Sequence, residues 1–68
     1  MKLNRTQKRI LRDVHRMQPV SALRVGITGR LAPSWNSLID NGLIEAAGQG
    51  MLGCNYRVAD HAAARYCQ

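Results

Sequence analysis

Apolar residues recur at helical intervals from the start of the chain. Leu3, Ile10, Leu11, Val14 and Met17, with Gln7 in the same register, fall on one side of a helix, and Asn4 followed three residues later by Gln7 has the spacing of a reciprocal N-terminal cap. Pro19 disfavours helix at the residue before it, so the segment ends by Gln18. The pattern then weakens. Val20 reads as a short strand entry and Ser21 as the cap of a brief helix through Ala22, Leu23, Arg24 and Val25, against a cost of about 1 kcal/mol for each of Gly26 and Gly29 in helical conformation. In "RLAPSWNSLIDNGLIE", Ser34 after Pro33 caps a helix over 34–41, with Trp35, Leu38 and Ile39 inward, Asn36, Ser37, Asp40 and Asn41 outward, and Gly42 placed for the left-handed C-terminal conformation. Leu43 to Ala47 alternates as a strand, "GQGMLG" supplies a glycine-rich hairpin tip, and Cys54 to Val58 returns with Tyr56 and Val58 on one face and Asn55 and Arg57 on the other. Asp60 then caps a final short helix through Arg65. The order is helix, short helix, helix, hairpin, terminal helix: an α+β chain whose inward set is Ile10, Leu11, Val14, Trp35, Leu38, Ile39 and Leu43.

With 68 residues, a chain buries only ~60% of its unfolded surface, which sets the expectation of one domain over residues 1–68 with a thin stability margin and makes oligomerisation a live alternative. No apolar run approaches the ~20 residues of a membrane span, and the N-terminus lacks the continuous apolar stretch of a signal peptide. The expectation is a soluble cytoplasmic protein without a membrane partner. Cys54 and Cys67 are too few and too far apart for a metal-ligand pattern, and His15 and His61 match no ligand spacing, so free, partly buried thiols and no metal are expected. Paired carboxylates, a phosphate-binding glycine loop and a nucleophile with an evident base are all missing from the sequence, which argues against an enzyme and against a cofactor.

Charge changes the picture more than composition does. Ten Lys and Arg stand against four Asp and Glu, for a net charge of +6, which favours nucleic acid, an acidic protein surface or anionic lipid as partner. Residues 1–30 carry eight of these bases and only Asp13 as an acid, while residues 31–68 carry Arg57 and Arg65 against Asp40, Glu45 and Asp60. Within the first helix, Arg5, Arg9, Arg12 and Arg16 follow one another at spacings of 4, 3 and 4 on the side opposite the apolar stripe. Such a row is either a solvated helix face or a stripe for phosphates or carboxylates, to which arginine offers a bidentate fork. Asp13 is within reach of Arg9 or Arg16.

The sequence resembles the winged helix-turn-helix family over nearly its whole length. "LNRTQKRIL" is similar to the capped first helix of small winged-helix proteins. "SWNSLIDNGLIE" is similar to a recognition helix passing through a Leu-x-x-x-Gly-Leu-Ile ending into the wing, and "YRVADHAAA" to the exit that follows the wing. Small proteins of this pattern are frequent in phages and mobile elements. The resemblance implies a DNA-binding regulator of transcription, with Ser34, Asn36 and Ser37 facing the major groove, Asn36 foremost because Asn bonds bidentately to adenine. It also implies a wing from Gln49 to Gly53 over the backbone or minor groove, with Arg57 at its base, and phosphate contacts from Arg24, Arg30 and Arg57. Small regulators of this kind commonly pair to read two half-sites, so a homodimer is an alternative to the monomer. Trp35 and Tyr56 read as core residues. One departure stands out: helix 34–41 carries no Lys or Arg and ends in Asp40, and the wing tip is uncharged, whereas backbone binding draws on basic groups around the reading element. A second reading therefore keeps the fold but docks the arginine stripe of the first helix on an acidic protein surface, as a phage-encoded inhibitor or adaptor would. RNA binding by shape and charge is a third reading, without an aromatic platform to support it.

Overall fold

The computed structural model describes residues 2–51 and 53–67. Helix α1 runs over Arg5–Met17, strand β1 over Val20–Ser21, helix α2 over Ala32–Asp40, strand β2 over Ile44–Gly50, strand β3 over Gly53–Val58 and helix α3 over Asp60–Tyr66. The strands form one antiparallel sheet in the order β1-β3-β2. Leu11, Val14, Leu38 and Ala62 are wholly buried, and Leu3, Ile10, Val20, Trp35, Leu43, Ile44 and Val58 join them in one apolar cluster between the helices and the sheet. Of the expected inward set only Ile39 is half-buried, packed on the margin of this cluster. Met17 takes the helical register of the stripe but lies past the end of the core and is exposed.

The start of α1 is set as its sequence spacing requires. The Gln7 backbone N–H donates to Asn4 Oδ1 at 2.8 Å and the Asn4 N–H donates to Gln7 Oε1 at 3.0 Å, so two donors that open every helix unsatisfied are satisfied reciprocally. Gln18 is the C-cap, and its Oε1 accepts from the Val58 N–H at 3.0 Å, fastening the exit of the helix to β3. The expected short helix after Ser21 is a hydrogen-bonded turn. Ser21 does cap it, since its carbonyl accepts from the Arg24 and Val25 N–H groups and its hydroxyl from Arg24, but Gly26 at φ +78° leaves helical space and the turn does not propagate. Among the described residues the chain has three helices rather than four.

Helix α2 also differs from its sequence expectation, in starting two residues early. Thr28 O accepts from the N–H groups of Leu31 and Ala32 at 2.9 and 3.0 Å, building a helical turn before Pro33, and Pro33 is tolerated there because its missing N–H falls among donors that no intrahelical carbonyl reaches. Ser34 is therefore a residue of the first turn, not the cap; the cap position is Leu31, which makes no side-chain cap bond. The other end follows expectation. The Leu43 N–H donates to Leu38 O at 2.9 Å and the Gly42 N–H to Ile39 O at 3.0 Å, with Gly42 at φ +73°, a glycine-terminated helix end in which Leu43 closes against Leu38 in the core. Because Leu43 serves this closure, β2 begins at Ile44, and both residues are buried instead of alternating. Gly42→Val is expected to lower stability by at least about 1–2 kcal/mol, the cost of a left-handed residue with a Cβ. Gly50→Val should lose less, since a Cβ there meets only the tip of the Asn55 side chain, at 2.8 Å, and that amide can rotate away. Thermal unfolding of the two variants checks the order.

Strands β2 and β3 pair from Ile44 with Val58 to Gly50 with Gly53, and Ala47 is an extra residue between the pairs Ala46–Tyr56 and Gly48–Asn55. Leu52, part of the expected hairpin tip, lies outside the described residues. Asp60, expected as a cap, is the first residue of α3; Ala59 holds the cap position, and its N–H donates to Leu43 O at 2.9 Å. An acidic first turn suits the positive end of the helix dipole.

Candidate nucleic-acid interface

The outward side of α2 carries Pro33, Asn36 and Asp40, all exposed. Thr28 O accepts from the N–H groups of Leu31 and Ala32, so a hydrogen-bonded turn leads into α2, and exposed Arg30 lies on this turn, two residues before the helix. Arg30 thus flanks α2, as expected, and the helix itself carries no Lys or Arg. Asn41 is held locally, its Nδ2 donating to Ser37 O at 2.8 Å.

Two expected contact residues are placed otherwise. Ser37 is half-buried and its hydroxyl accepts from Gln7 Nε2 at 3.3 Å, so this side chain is turned toward α1 and ties the first turn of α1 to the middle of α2. Ser34 is half-buried one turn earlier. Arg57 sits at the base of the wing as expected, but its charge is already engaged: Nε lies 3.2 Å from Glu45 Oε1 on the facing strand, and Nη2 donates to Asp60 Oδ1 at 2.7 Å. A phosphate would have to compete with both carboxylates for that guanidinium. Gln49 is exposed on β2 opposite Cys54.

Arg24 is exposed on the turn after β1 and lines an open groove of about 580 Å³ with Met17, Pro19, Gly50, Met51 and Asn55. The groove brings Arg24 to the same side as the wing tip, where Met51 is fully exposed. The four arginines of the α1 stripe are exposed in a row, Asp13 pairing with Arg16 at 3.5 Å, and Lys8 joins them along the edge of the helix. Sequence periodicity located the stripe; Lys8 was legible there as well, since position 8 precedes Arg12 by one helical turn.

Trp35 and Tyr56 meet edge to face, ring centroids 5.1 Å apart, so the tryptophan joins α2 to β3 and is withdrawn from base stacking. Burial and the adjacent Cys54 thiol push the Tyr56 phenol above its usual pKa. Both thiols are free and half-buried. Cys67 approaches Leu11 O at 3.9 Å, and burial pushes its pKa up, with Arg12 pulling the other way. No three of His, Cys, Asp and Glu are grouped so as to hold a metal ion, and no helix is long and apolar enough to cross a membrane, among the described residues.

Three helices on a small antiparallel sheet, with α2 passing through a glycine-terminated end into a β-hairpin wing, define a winged-helix protein whose second helix is reduced to a turn. Neither a family model nor a curated protein matches the chain. Among solved structures it is similar to the crystal structure of ScpB from Mycobacterium tuberculosis, with a TM-score of 0.81 and 24% identity, over 96% of this chain and 43% of that one. The likeness establishes the winged-helix fold, and the chain spans less than half the length of that protein.

Proposed function

We propose that residues 1–68 form a winged-helix module that binds duplex DNA without catalysing a reaction, and that it acts as a small transcriptional regulator in the cytoplasm. The observation that carries this reading is the exposed outward side of α2, with Asn36 on the helix that winged-helix proteins present to a major groove and exposed Arg30 on the turn that leads into it. Arg30 suits the O6 and N7 acceptors of guanine, and Asn36 the N6 and N7 pair of adenine. Arg24 beside the wing, with Gln49 on β2, supplies backbone contacts. Arg57 is assigned to holding the wing, in keeping with its two carboxylate partners.

Selection of a preferred duplex from a random pool, followed by anisotropy titrations at two salt concentrations, tests the reading. Asn36→Ala and Arg30→Ala are each expected to cost about 1–3 kcal/mol of discrimination between the selected and a random duplex, while Arg24→Ala weakens both alike and reduces the salt slope by about 1. Full discrimination in the Arg30→Ala/Asn36→Ala double variant would sink the assignment of α2 to the groove.

A further inference from the structure

The basic face of α1 takes no part in that reading, and it adjoins a surface of different chemistry. Arg5, Lys8, Arg9, Arg12 and Arg16 line a shallow groove of about 610 Å³ in which Asp13 is the one acid. Arg5, Thr6, Arg9 and Asp13 also line a second groove, of about 390 Å³, whose apolar part is Ile10 from α1, with half-buried Val25 and Leu31 from the segment that leads into α2. A row of guanidinium groups and a partly apolar groove therefore share one border along the helix.

We propose that this face docks an acidic amphipathic helix of a partner protein. At about 1.5 Å rise per residue, the arginines stand roughly 6, 4.5 and 6 Å apart along a straight axis. A second helix lying alongside repeats that spacing with carboxylates at intervals of 4, 3 and 4, and each carboxylate can take a bidentate arginine. The row of phosphates on a duplex winds away from a straight helix, and phosphates gain nothing from an apolar lining. Asp13 reinforces the choice. Lying between Arg12 and Arg16 and 3.5 Å from the latter, it repels a uniform polyanion but accepts a lysine from a helix of mixed charge, which fixes the register. Exposed ion pairs are individually weak, so the apolar side of the partner, seated on Val25 and Leu31, supplies the remaining affinity. The proposal uses neither Arg30 nor Asn36 and stands apart from DNA binding by α2.

The test uses the 68-residue chain and three fluorescent probes: a helical peptide with Glu at intervals of 4, 3 and 4 and Leu on the adjoining side, a peptide of the same composition with the Glu positions scrambled, and a random duplex. The registered peptide is expected to bind at least about tenfold more tightly than the scrambled one, and Arg9→Glu/Arg12→Glu to remove that advantage. Val25→Ser should weaken the registered peptide several-fold with little change in the scrambled one. Circular dichroism verifies the fold of each variant, and Arg9→Gln/Arg12→Gln, which only removes charge, must show the same direction. Equal binding of the two peptides, or a charge variant that loses duplex affinity while keeping the registered peptide, would overturn the proposal. Retained peptide binding in Arg30→Ala/Asn36→Ala separates its outcome from that of the DNA reading.

Discussion

Leu38→Ala is expected to remove about 2–5 kcal/mol of stability, enough to leave a large unfolded fraction at room temperature in a domain of this size. Leu38 is wholly buried in the cluster that also holds Leu11 and Val14 of α1 and Ile44 and Val58 of the sheet. Its carbonyl also accepts the Leu43 N–H that closes α2. The backbone bond survives the substitution, but the apolar closure of Leu43 over Leu38 does not, so the helix end loosens together with the core. Chemical denaturation of the variant, read by circular dichroism, should show a lower midpoint with an unchanged slope. Near-wild-type stability would remove Leu38 from the core.

Trp35→Ala should be at least as damaging, at about 3–5 kcal/mol. The buried indole of α2 meets Tyr56 of β3 edge to face, so its loss opens a cavity between the helix and the strand. Trp35→Phe keeps an aromatic ring in the site and is expected to recover most of the loss. Because Trp35 is the chain's one tryptophan, unfolding of the parent can be followed by its fluorescence, whereas the variants are followed by far-ultraviolet circular dichroism. If Trp35 stacked on bases instead, Trp35→Ala would weaken DNA binding and leave stability unchanged.

What the sequence disclosed and what it withheld divide along a physical line. The α1 stripe, its reciprocal cap and the left-handed Gly42 are legible because each depends on neighbours a few positions away, where spacing alone fixes geometry. Helical periodicity places Ser37 outward because it says nothing of a hydrogen bond across 30 positions to Gln7. The engagement of Arg57 was hidden for a related reason. In a regular hairpin closed at Gly50 and Gly53, Arg57 would face Ala46; the extra residue at Ala47 shifts the pairing so that Glu45 stands opposite it. The start of α2 was obscured by a rule that holds within helices and relaxes in their first turn, where proline costs no hydrogen bond. Two local preferences opposed each other in the turn after Ser21, the serine cap and the glycine at position 26, and the glycine prevailed.

The unpaired Ala47 also bears on how this molecule can change over generations. Ladder pairs lie on both sides of it, Ile44 with Val58 toward the core and Gly50 with Gly53 toward the tip. Deleting that single codon would leave every one of those pairings available while removing the local bend and added twist that a bulge introduces. The tip, with Met51 and Gln49, would swing relative to the helices without disturbing the buried residues. Point substitutions along β2 alter what the wing displays; a one-residue deletion alters where it is aimed, and the architecture leaves that route open at little cost to the rest of the protein.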